Sequence, residues 1–183
     1  MPTALGLPVN VTEPQALDEF RGTGLSALYN RARYGPLHKL ALVYLPFQTF
    51  QVEYDLGRAR YSRFLALDRV EGSLDLFEFP RPVQEAHLQP VAGRNCIQPV
   101  LTVGQAVEIL REKALRIAFQ EGFFRTRQPR LEIRTLPEQF SVPYWLGFFG
   151  SDGSVRCRAL DAIRRRMEGA KATALFERWL AAA

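Results

Sequence analysis

One series of short motifs occurs twice in this chain, in the same order, and it restricts the possible folds more than any other feature. Leu45-Pro46-Phe47 returns as Val142-Pro143-Tyr144, Asp55-Leu56-Gly57 as Ser151-Asp152-Gly153, Ala66-Leu67-Asp68 as Ala159-Leu160-Asp161, and Glu71-Gly72 as Glu168-Gly169. The offsets are 97, 96, 93 and 97 residues, so the second hairpin is slightly shorter and the difference is restored around Ile163 to Met167. Same-order similarity with length changes confined to turns is the expected trace of a duplicated supersecondary unit.

Each copy reads as a β-hairpin. In the first, Phe50, Val52 and Tyr54 alternate with Gln51 and Glu53 up to a turn near Gly57; Ser62, Phe64 and Ala66 then alternate with Arg63 on the return. In the second, Phe140, Val142, Tyr144, Leu146 and Phe148 alternate with residues that are themselves largely apolar. Asp152-Gly153 is a strong hairpin-turn signal, and Val155, Cys157 and Ala159 return opposite Arg156 and Arg158. Pro46 and Pro143 donate no backbone hydrogen bond, which predicts a strand start, bulge or edge at each. A strand over Leu131 to Leu136 is expected before the second hairpin, and one over Leu74, Leu76 and Phe77 to Phe79 after the first.

Helices precede both hairpins. Thr102-x-x-Gln105 is a capping box, followed by a stripe of Val107, Leu110, Ala114, Ile117 and Ala118 and a stop at Gly122. Thr12-x-x-Gln15 opens a shorter helix over Ala16, Leu17 and Phe20, and after Gly22 and Gly24 another runs through Leu25, Leu28, Tyr29 and Ala32. Leu175, Phe176, Trp179 and Leu180 give a C-terminal helix a broad apolar face that must dock. The expectation is an α+β fold of two diverged helix-plus-antiparallel-hairpin units, residues 1–80 and 101–183, joined by a Pro-rich linker over 81–100. Their sheets are separate or merged. Ala-Leu-Asp followed by Glu-Gly after a hairpin resembles small repeat domains of the PepSY type over a few residues per copy, and no function is carried over from it.

Composition matters mainly through charge. Of 183 residues, 47% are hydrophobic and 23% charged, which excludes collagen, coiled coil and wholesale disorder. The longest apolar stretch, Leu40 to Phe47, is far short of the roughly 20 residues of a spanning helix. No basic start with an apolar core opens the chain, so no membrane span and a cytoplasmic location are expected. The net charge is +5; residues 1–110 contribute −1 and residues 111–183 contribute +6. Only Lys39, Lys113 and Lys171 are lysine, so the basic surface is nearly all guanidinium, suited to carboxylates and phosphates.

Catalytic signals are thin. His38 and His87 are the only imidazoles, no nucleophile elbow is present, and Gly22-x-Gly24 lacks the strand and third glycine of a nucleotide loop. Cys157 reads as a small core hydrophobe and Cys96 as the more exposed, more reactive thiol. No cofactor and no metal site are expected, although Asp68, Glu71, Asp161 and Glu168 formally suit a hard cation. The leading expectation is a noncatalytic interaction or assembly module that binds an acidic partner, most simply a protein. Its contacts are Arg164, Arg165, Arg166, Lys171, Arg125 and Arg127, with Tyr144, Trp145 and Trp179 as interface aromatics. Nucleic-acid binding through the same arginines is one alternative. An enzyme with a composite site at Asp68 and Asp161 is the other. The oligomeric state is left open.

Overall fold

The computed structural model describes residues 4–55, 60–92, 95–120, 130–151 and 154–182. Among these residues the fold is α+β, with four helices and eight strands in a mixed sheet. In chain order they are β1 (Ala4–Gly6), α1 (Glu13–Arg21), α2 (Gly24–Tyr34), β2 (Leu37–Asp55), β3 (Arg60–Asp68), β4 (Phe77–Phe79), β5 (Gln89–Val91), α3 (Val103–Gln120), β6 (Arg130–Ser151), β7 (Ser154–Asp161), β8 (Arg166–Met167) and α4 (Ala170–Ala182). The expected turns at Gly57 and Asp152-Gly153 and the helix stop at Gly122 lie outside the described residues.

The chain divides into two compact units of interleaved segments. The first is Met1–Leu45, Leu88–Ile97 and Ser141–Ala183; the second is Pro46–His87 and Gln98–Phe140. Residues 1–80 and 101–183 therefore each contribute to both units, and β2 and β6 each give one half to either. The segment 81–100 is structural: β5 pairs antiparallel with β1, and Cys96 bridges to Tyr44.

In the second unit, β2 and β3 form an antiparallel ladder from Phe47↔Asp68 to Asp55↔Arg60, and β4 extends it on β3. Helix α3 lies on the face of Phe50, Val52, Tyr54, Leu65 and Leu67, contributing Ala106, Leu110, Ala114 and Ala118, all fully buried. This buried row runs every fourth residue, with Val107 and Ile117 at its flanks. Its three alanines let the helix backbone come close to the sheet. The return strand differs from the alternation read in the sequence. Directly opposed residues share a face, so Phe50↔Leu65 puts Leu65 and Leu67 on the α3 side, not Ser62 and Phe64. Arg63 is on that face too, opposite Val52, with its guanidinium 5.8 Å from the centre of the Tyr54 ring.

Strand β6 is one continuous strand of 22 residues, merging the strand expected over Leu131 to Leu136 with the first strand of the hairpin. Around Pro137, which has no backbone donor, two buried polar side chains of β2 bond to the β6 backbone. Gln48 Nε2 donates to the Leu136 carbonyl at 2.6 Å and Thr49 Oγ1 to the Glu138 carbonyl at 2.8 Å.

In the first unit, β6 pairs antiparallel with β7 from Tyr144↔Asp161 to Ser151↔Ser154, β8 follows on β7, and β1 runs parallel to β6 at Gly6↔Ser141. Helix α1 buries Ala16 and Phe20 against Trp145, Phe149 and Leu160; the Phe20 and Phe149 rings meet edge to face at 5.9 Å. Helix α4 docks through Ala172, Leu175 and Phe176, with Phe176 5.4 Å from the Tyr144 ring. Pro46 and Pro143 sit inside long strands, each one residue beyond the end of its hairpin ladder, where no donor is called for. Their carbonyls still accept, from Arg69 N at 2.8 Å and Ala162 N at 3.1 Å.

Candidate functional site

The two repeated aspartates are almost fully buried and engaged by their own turns. Asp68 Oδ1 accepts from the amides of Glu71 at 2.9 Å and Gly72 at 2.8 Å, and Oδ2 from that of Leu74 at 3.0 Å. Gly72 is required here: its φ is 65°, and a Cβ would stand 2.9 Å from Ile109 Cδ1. Asp161 Oδ1 accepts from Ile163 N and Arg164 N, while Oδ2 takes the Arg164 guanidinium at 2.5 Å. A buried carboxylate ringed by backbone amides is a turn cap.

The arginine triplet is held in the same way. Arg164 bridges Asp161 and Glu168, Arg166 also pairs with Glu168, and Arg165, at a positive φ of 53°, pairs with Glu19 of α1 at 2.8 Å. These three side chains tie the β7–β8 turn to its surroundings. Lys171 is exposed in the first turn of α4, whereas Arg125 and Arg127 lie outside the described residues. Tyr144 is buried, and Trp145 is 8% exposed with Nε1 donating to the Val11 carbonyl at 2.7 Å, so both serve the core. Trp179 is half-buried on α4. Burial raises the Glu168 carboxyl above its usual range, with Arg166 and Arg164 opposing the shift.

Among the remaining polar candidates, His38 Nε2 donates to the Gly150 carbonyl at 2.6 Å, and His87 Nδ1 accepts from Gln84 N. Burial pushes the Cys157 thiol up to about 12. Cys96, read from sequence as the more reactive thiol, is half-buried and its thiol is also pushed up by burial, which works against thiolate formation. Among the described residues no cluster of three or more His, Cys, Asp or Glu side chains is arranged to hold a metal, and no helix is long and apolar enough to cross a membrane.

Helix α2 behaves differently from the other three helices: not one of its eleven residues is buried. Leu25 is 84% exposed, Leu28 67% and Tyr29 59%. The sequence showed this stripe, but its exposure only emerges from the fold. The helix carries no acidic residue, and Arg33 places its guanidinium 6.0 Å from the Tyr29 ring. On its other side, at positions three and four apart, Ala27, Asn30 and Arg31 face a cleft of about 410 Å³. Phe20 and Arg21 of α1, the Gly35-Pro36-Leu37 entry to β2 and Phe149 of β6 complete its lining. The two units also differ in charge. The first unit holds twelve basic and seven acidic residues, the second twelve of each, so all of the +5 excess belongs to the unit that carries α2.

No protein-family model matches the chain, and comparisons with curated proteins and with solved structures likewise give no match.

Proposed function

We propose that this chain is a noncatalytic interaction module, built from two duplicated α+β units, that receives an acidic, apolar-bearing segment of a protein partner on the outer face of α2. The observation that carries the reading is Leu25, Leu28 and Tyr29 side by side on a helix that buries nothing of its own. Large apolar side chains clustered on a surface are costly unless something covers them, and such patches mark interaction sites. The partner's acidic character follows from an acid-free helix on the unit with the whole positive excess, with Arg33 beside Tyr29. The contact point differs from the one expected from sequence, because Arg164, Arg165 and Arg166 already have intramolecular acidic partners.

The duplication is supported by paired hydrogen bonds. Proline carbonyls 46 and 143 accept from the residue after the capping aspartate in both hairpins. The carbonyl of that same residue accepts two consecutive amides, Arg69 O from Val100 and Leu101, Ala162 O from Asn10 and Val11. Each pair of amides runs directly into a Thr-x-x-Gln capping box, at Thr102 and at Thr12. The helix of one copy thus serves the hairpin of the other: α1 covers the β6–β7 hairpin and α3 the β2–β3 hairpin.

The test is native mass spectrometry of the chain purified gently from its own cells, alongside a Leu25→Glu/Leu28→Glu variant. Both substitutions are at exposed positions, so stability should change by no more than about 0.5 kcal/mol. A co-purifying acidic polypeptide that the double variant loses supports the reading. A complex that survives the double variant, a complex lost only when Arg165 or Arg166 is replaced, bound nucleic acid released by salt, or a bare chain overturns it.

A further inference from the structure

We infer that the cleft between α1, α2 and β6 is a binding site for a small organic carboxylate with an apolar body. Its volume of about 410 Å³ is within the range of small-molecule sites, roughly 300–1,000 Å³. Its walls are Phe20 and Phe149, both fully buried, together with Leu37, Pro36 and Ala27. These take a hydrocarbon chain or a ring. Arg21 ends α1 and Arg31 is on the second half of α2; both exposed residues line the cleft, with no acidic partner among the described residues. Asn30, whose Nδ2 donates to the Phe20 carbonyl at 3.4 Å, adds a side-chain amide to the lining.

Two arginines beside an apolar lining match a carboxylate, which a guanidinium binds through paired N–H donors. A phosphate site typically draws on backbone amides at a helix N-terminus, and this lining has none: Arg21 closes α1, and the α2 contributions are from its middle. Gly35 shapes the entrance. Its φ is 84° and a Cβ would come within 3.2 Å of the Gly150 backbone, so the chain turns tightly there and delivers Leu37 to the wall. The site is on the side of α2 opposite Leu25, Leu28 and Tyr29, so it stands independently of the protein-partner reading.

Full-length protein labelled with ¹⁵N is titrated with decanoate and phenylacetate, with their alcohols decanol and phenylethanol as neutral analogues, and with inorganic phosphate. The expected result is saturable shifts at Ala27, Asn30, Leu37 and Phe149 with a carboxylate, and roughly tenfold weaker binding of the matching alcohol. Arg21→Gln/Arg31→Gln should weaken the carboxylate by a similar factor and leave the alcohol unchanged, whereas Ala27→Trp should abolish both by filling the cleft. Leu25→Glu/Leu28→Glu should leave the titration as it is. The inference is overturned if neither carboxylate shifts these residues, if the alcohols bind as tightly, if the arginine variant binds normally, or if phosphate alone binds.

Discussion

Replacing Asp68 separates a structural carboxylate from a catalytic one. Its two oxygens accept three backbone amides within seven residues of chain, and the side chain is 1% exposed. Hydrogen bonds to a charged acceptor contribute about 1.5–3 kcal/mol each, and orphaned buried donors cost a similar amount. A plain sum overstates the loss, because the Glu71 amide is only partly buried and regains water when the turn opens. The expected destabilisation for Asp68→Ala is therefore about 4 kcal/mol, toward the upper end of single-site effects. Asp68→Asn keeps Oδ1 for Glu71 and Gly72 but turns an amide donor toward the Leu74 N–H, for a loss of about 2 kcal/mol. Urea unfolding followed by circular dichroism gives both values, and amide exchange at residues 71, 72 and 74 localises them. A loss below about 0.5 kcal/mol for Asp68→Ala would refute the cap and return Asp68 to the candidates for chemistry.

Gly72→Ala, at positive φ and 2.9 Å from Ile109, should lower stability by about 1–3 kcal/mol, read as a lower Tm; an unchanged Tm would show that the turn relaxes freely. Because burial raises the Glu168 carboxyl, the folded chain holds more protons than the unfolded one just above the usual glutamate range, and stability falls as pH rises through that window. Glu168→Gln should flatten that part of the Tm-against-pH curve, and an identical slope would contradict it. With its thiol pushed up to about 12, Cys157 should resist iodoacetamide in the native chain at mildly alkaline pH, while Cys96 reacts slowly; mass-spectrometric mapping that finds Cys157 alkylated first would be decisive against this.

Much of the local structure was legible in the chain. The capping boxes at Thr12 and Thr102, the β2 alternation of Phe50, Val52 and Tyr54, and the burial of Leu175 and Phe176 on α4, though not of Trp179 and Leu180, depend on residues a few positions apart, and helix and strand periods record such short-range relations directly. The cleft was not legible. Arg21, Asn30 and Arg31 are spread over two helices, and no spacing marks them as neighbours of Phe149, more than a hundred residues away. The return strand β3 was misread by one residue of parity, since its register depends on pairing across the hairpin and an alternation of Phe, Leu and Ala fits either face.

Short-range patterns in the chain carry the elements, the alternation of β2 and the aspartates that cap the turns after β3 and β7. The fold alone shows which helix covers which hairpin and that α2 is left with Leu25, Leu28 and Tyr29 in water. The physical reason is that propensity and periodicity are settled within a turn or a strand pair. Burial instead depends on contacts between segments about a hundred residues apart, and two similar apolar faces carry no local mark of which partner each will take.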